Sequence, residues 1–301
     1  MNNCGITDER FTGSQSFALS AATFFTFLKL TDASVAASVV ALSVAATAAF
    51  VAALHDKTGL DLCEYKAAAV PLSISCASSA ALAVQYLAED VSSLYGDVSP
   101  RIFFVGASVL TLFIALAPRG ALGRFGEILF APALFAAVFS VIGEGDAKIP
   151  KTPALRGIYA AALIGVFMVL VVNSASSGDI TGAAPKKRIF RALPVIAGAA
   201  VAAAIYVLLL FFGSLSGVFS VLMKWDVLIL GAASAVSVSI RTALKFRGVC
   251  RALFAVISSA AFVFVAFFGE KFDGALIFAA ASVLSLVGIC VFSLTKNKKE
   301  S

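Results

Sequence analysis

Between Ser14 and Leu294 the chain is filled by ten apolar stretches, each about long enough to cross a bilayer, and the short polar loops between them alternate in positive charge. With 60% of its 301 residues apolar and only 13% charged, and a mean hydropathy of +1.00, the chain holds more hydrocarbon than a water-soluble core can hide. A bilayer core of roughly 30 Å takes about 20 helical residues per crossing. Spans are predicted near 14–31, 33–54, 67–88, 101–117, 121–143, 155–175, 190–212, 219–244, 250–268 and 274–295. Ala, Leu, Val and Phe run around every face of these stretches, without the alternation of a barrel strand, so helices are expected. The predicted fold is an all-α polytopic membrane protein, multi-pass in the cell membrane: a polar segment 1–13, a single ten-helix domain 14–295 and a tail 296–301.

Orientation follows from the basic residues in the loops. With the N-terminus in the cytoplasm, the inside segments hold 16 of the 23 Lys and Arg residues, among them the groups Lys186 to Arg191 and Arg241 to Arg251. The outside loop with Glu89, Asp90 and Asp97 is acidic. Both termini are therefore expected inside, and the net charge of +6 reflects topology rather than a nucleic-acid partner. Met1 to Gly13 carries Asp8, Glu9 and Arg10 and lacks a basic lead into an apolar core, so no cleavable signal peptide is expected. Cys4, Cys63 and Cys250 fall in inside segments and Cys76 and Cys290 within helices, which disfavours disulfides.

Gly143, Gly145, Pro150 and Pro153 mark an outside loop between the fifth and sixth spans. Cutting there leaves two halves, about 14–143 and 155–295, of five crossings each. An odd number makes the second half enter from the opposite side, so a shared fold would make the halves inverted repeats, the five-plus-five (LeuT-like) architecture of many secondary transporters.

Few residues could carry chemistry. The single histidine, His55, lies at a helix end beside Asp56 and Lys57, and no HExxH, GxSxG or paired intramembrane aspartates occur. No enzyme activity, metal site or cofactor is expected. Ionisable residues inside spans are costly and stand out. Glu127 lies three residues after Arg124, a spacing that lets the two pair. Lys224 and Asp226 flank the only tryptophan, Trp225. If the eighth helix begins near Gly217, Asp226 sits roughly 14 Å deep; if residues 214–225 form an interfacial segment, Trp225 is a belt anchor and the charges are wet. Lys29 at the outer end of the first span can snorkel, while Asn173 and Gln85 could bond across helices or to a ligand.

Transport sites lie where helices break and free backbone groups. The first span offers the small residues Ser20, Ala21, Ala22 and Thr23, and the sixth Gly157 and Gly165. Small residues of this kind also serve close helix contact, and both readings stay open.

The run from Ala117 to Pro132, with Gly120, Arg124, Glu127 and Pro132 at matching positions, resembles a segment of the spore germination permease family. These are the B subunits of germinant receptors, within the amino acid–polyamine–organocation superfamily. Phe11-Thr12-Gly13-Ser14-Gln15 looks like that family's approach to the first helix, and Met223-Lys224-Trp225-Asp226 like its basic-then-acidic pair before the eighth, with Lys where Arg is usual. The resemblance implies a multi-pass protein of the spore inner membrane that senses a small nutrient such as an amino acid between the first, third, sixth and eighth helices. It also implies A-type membrane and C-type lipoprotein subunits as partners. Ser20, Ala21, Thr23, Gly165 and Asn173 are the candidate ligand-binding residues, and Gly120, Arg124, Glu127, Pro132, Lys224 and Asp226 the candidate coupling motif. A first helix without Gly or Pro from Ser20 to Leu30 departs from the family pattern. Two other functions remain open, a proton-coupled amino acid transporter using Glu127 or Asp226 and a non-binding assembly subunit.

Overall fold

The structure, a computed structural model, describes residues 12–30, 33–55, 66–95, 99–117, 119–142, 185–212, 225–233 and 235–237, with single positions at 249, 253 and 256. Among the described residues it is helical, with no strand. Six helices follow in order: α1 (Gly13–Leu30), α2 (Val35–His55), α3 (Lys66–Tyr95), α4 (Pro100–Leu116), α5 (Arg119–Ile142) and α6 (Pro185–Phe212). A seventh helical segment covers 225–233. The expected spans 155–175 and 274–295, all of 250–268 but positions 253 and 256, and with them the comparison of inverted halves, lie outside the described residues.

Local chemistry starts and stops these helices. Thr12 and Gln15 form a reciprocal capping box: the Gln15 N–H donates to Thr12 Oγ1 at 3.3 Å, and the Thr12 N–H donates to Gln15 Oε1 at 3.1 Å. Ser34 caps α2 by accepting the Ala37 N–H at 3.2 Å. At α4, Ser99 Oγ accepts from the Arg101 N–H and Pro100 fills the first turn, where its missing donor costs nothing. The same helix ends at Ala117 in extended geometry, with φ −61° and ψ 151°, as the residue ahead of Pro118 requires.

The core is built around α1. From Gln15 to Lys29 every side chain is buried except the half-buried Phe17. Its chief partner is α6, with α5 and α3 adding smaller contacts, while α2 lies on α6 and α3 on α4. Close approach explains the first of these pairings. A Cβ at Gly198 of α6 would collide with the Phe17 carbonyl oxygen and with Ser20 Oγ of α1, so only glycine lets the two backbones come so near. Ala192, Val195, Ala199, Ala202 and Tyr206 continue this buried face along α6.

Among the described residues, two helical stretches are long and apolar enough to cross a membrane, Gly120–Phe139 in α5 and Ala192–Phe212 in α6. Val35–Thr47, Pro100–Leu116 and Trp225–Ser237 are apolar but shorter. The central α1 has the bounds the sequence predicts within a residue or so, yet carries Gln15, Ser16, Ser20, Thr23, Thr26 and Lys29 among its buried side chains. Such a composition fits a helix surrounded by protein, where polar groups find partners inside the bundle. α4 and α5 show the opposite pattern. They turn large apolar side chains outward, including Phe113 at 73% exposure and Ile128 and Phe135 at 67%.

Candidate functional site

Three sequence segments singled out for their motifs come together on α1. The first is the Thr12 to Gln15 box itself. The second is α5, which lies against it: a Cβ at Gly123 would come within 2.6 Å of Gln15 Cδ and Oε1, and one at Gly126 within 3.2 Å of Leu19 Cδ2. Ser14 Oγ donates to Glu127 Oε1. One turn further in, Phe17 and Phe130 meet edge to face with ring centroids 5.2 Å apart. The third is the 225–233 segment, whose Val227 carbonyl lies 3.2 Å from Thr26 Oγ1. A Cβ at Gly231 would collide with Thr26 Oγ1.

The coupling-motif residues thus take specific places. Gly120 is buried at the start of α5. Glu127 is half-buried, and the partner that holds it is Ser14 across the helix boundary rather than Arg124 on its own helix; Arg124 is exposed. The i,i+3 spacing permits an ion pair, but a serine hydroxyl at the opposing helix start offers a fixed donor at less side-chain entropy than a mobile arginine. Pro132 lies inside α5 on its exposed side. Asp226 is half-buried, whereas Lys224 lies outside the described residues.

Of the candidate ligand-binding residues, Gly165 and Asn173 also lie outside the described residues. Ser20, Ala21 and Thr23 are buried on α1. Their hydroxyls are engaged within the helix: Ser20 Oγ donates to the Phe17 carbonyl at 2.9 Å, and Thr23 Oγ1 to the Leu19 carbonyl at 2.6 Å. Thr26 Oγ1 does the same toward the Ala22 carbonyl at 2.8 Å. The helix is continuous from Gly13 to Leu30, so its interior N–H and C=O groups are committed to one another. Back-bonding hydroxyls of this kind satisfy themselves without a ligand.

A pocket nonetheless opens between α1, α5, α6 and the 225–233 segment. Ala18, Ala21, Ala22 and Phe25 of α1 line it, with Gly126, Phe130 and Ala133 of α5, Ala202 and Ile205 of α6, and Asp226, Val227 and Leu230. Asp226 is the only ionisable residue in this wall. The cavity volume is about 40 Å³, room for about three or four water molecules. Phe25 is fixed from behind by Tyr206, 5.7 Å away edge to face. Sequence reading singles out Asp226, Ala21 and Ala22 but not the wall as a whole, because a helix apolar all round shows no period from which an inner face could be picked.

At the C-terminal end of α1, Lys29 is only 7% exposed and its ammonium lies 5.0 Å from the centroid of the Tyr86 ring. It is held by protein rather than snorkelling outward. On the neighbouring turn Gln85 Nε2 donates to Glu89 Oε1 at 3.1 Å. Among the described residues no three His, Cys, Asp or Glu side chains gather as a metal site would need.

No protein-family model and no curated protein matches the chain.

Proposed function

We propose that the chain is a multi-pass, permease-like membrane subunit that senses a small nutrient molecule within its helix bundle, in the manner of the B subunits of spore germinant receptors. The observation that carries this reading is the convergence on α1 of the three segments bearing the family-like motifs, joined through Ser14 and Glu127, Phe17 and Phe130, and Thr26 and Val227. The alternating charge of the loops and the outward apolar side chains of α4 and α5 support a multi-pass placement in lipid. In such a device the ligand stabilises one arrangement of the helices around α1, and partner subunits read that arrangement.

The test is binding without flux. Purified full-length protein in lipid nanodiscs is screened by thermal shift and calorimetry against amino acids and small amines, and the same preparation is assayed for uptake in proteoliposomes. Saturable binding without sustained uptake is the expected result. Binding with uptake would replace the sensor by a transporter.

One observation favours a second reading, a non-binding assembly subunit: α1 is unbroken and its hydroxyls are spent on its own carbonyls. Absence of binding across the panel by a well-folded sample, with complex assembly lost on disrupting the Ser14 and Glu127 contact, would select that reading.

A further inference from the structure

We propose that the pocket beside Asp226 is a site for a small primary ammonium ion with a short apolar tail, and that it rejects amino acid zwitterions. This rests on the reading that the bundle binds a small molecule, and names the chemical class.

The walls decide the class. Asp226 supplies one negative charge, and apart from it the lining side chains are Ala, Gly, Val, Leu, Ile and Phe. Among the described residues none is shown donating a hydrogen bond to its carboxylate, which leaves that carboxylate as acceptor for an N–H donor from a guest. Phe25 and Phe130 add aromatic walls, each braced edge to face by a second ring, Tyr206 for the first and Phe17 for the other. A carboxylate with aromatic neighbours in an apolar recess is the combination that recognises an organic cation.

Competing guests fail on the same inventory. A zwitterion brings a carboxylate that needs donors, and among the described lining residues no side chain has one to give: the α1 backbone is closed on itself, and the nearby hydroxyls of Ser20, Thr23 and Thr26 donate to carbonyls of their own helix. Asp226 would repel that carboxylate as well. A bare metal cation needs about six oxygen ligands, and the lining side chains offer the two of Asp226 alone. The volume of about 40 Å³ accommodates an ammonium group and about two or three carbons, each taking about the room of one water.

The experiment uses the full-length protein in nanodiscs, with ethylammonium and propylammonium as probes, propanol as the neutral control and alanine as the zwitterion. The expected result is saturable binding of the two amines, at least tenfold weaker with Asp226→Asn, retained with Asp226→Glu, and negligible binding of propanol and alanine at this site. Ligand-free melting of each variant verifies that it is folded. Amine binding unchanged in a folded Asp226→Asn variant would overturn the proposal. Alanine binding that is indifferent to Asp226, without amine binding, would overturn it too while leaving nutrient sensing in place. Silence of every amine and amino acid on folded protein would remove both.

Discussion

At the scale of single residues, contact distances set the energetics. Gly198 faces the Phe17 carbonyl and Ser20 Oγ too closely for any Cβ, and one of those neighbours is backbone and cannot swing aside. Gly198→Ala is expected to destabilise the protein by about 1–3 kcal/mol, as overpacking does, and Gly198→Leu by more, read as a lower melting temperature of the detergent-solubilised protein. Sequence alone names Arg124 as the partner of Glu127, since spacing along one helix is visible and a neighbour 113 positions away is not. The two partners separate in a double-mutant cycle: Ser14→Ala and Glu127→Gln should couple by about 0.5–1.5 kcal/mol, as a typical side-chain hydrogen bond does. Arg124→Ala should change stability by less than about 0.5 kcal/mol, as exposed substitutions do. A strong Arg124–Glu127 coupling in that cycle would restore the ion pair.

At the scale of elements, α1 is the piece against which α6, α5 and the 225–233 segment pack. Its start is legible, because Thr12 followed three residues later by Gln15 is a capping signature and both reciprocal bonds form. Its ends and those of α2, α4 and α5 follow from apolar length and from Ser34, Ser99 and Pro118. Its central position is not legible. Ser20 and Thr23 read as possible ligand contacts, whereas each, like Thr26, turns its hydroxyl back to a carbonyl three or four residues earlier, a choice made by local geometry and not by composition. Thr12→Ala should cost about 1 kcal/mol of stability through the lost cap. Ala22→Pro, which breaks the ladder in the middle of the buried helix, should cost about 3 kcal/mol or more and leave no folded protein in detergent as judged by size exclusion.

For the whole molecule, the question is which surfaces meet lipid and which meet water. Phe113, Ile128 and Phe135 project outward from α4 and α5, which in water would be a liability and in hydrocarbon is ordinary. Phe135→Lys is therefore expected to cost about 2.5–3.5 kcal/mol of membrane insertion, the penalty for a lysine at mid-helix, scored in a glycosylation-based insertion assay; a neutral result would place this face in water. Orientation is checked with single cysteines in an otherwise cysteine-free protein. Asp97→Cys should react with a membrane-impermeant maleimide on intact cells, and Lys187→Cys only after permeabilisation. Loop charge predicts an orientation from sequence, because a cumulative bias tolerates local error, while a pocket assembled from four distant segments depends on pairings no single stretch encodes.

The 30 residues of α3 make a rod of about 45 Å at 1.5 Å per residue, against a hydrocarbon core of about 30 Å. In the proposed multi-pass placement, with Lys66 at the inner boundary, Glu89 and Asp90 would emerge on the far side as a carboxylate-bearing post, and a thicker bilayer would pull them toward the oil. So placed, the helix would act as a gauge of membrane thickness: in bilayers of increasing acyl-chain length it would straighten and then submerge its own charges. Melting temperature should rise to an optimum chain length and fall beyond it, and Glu89→Gln with Asp90→Asn should move that optimum toward thicker lipid.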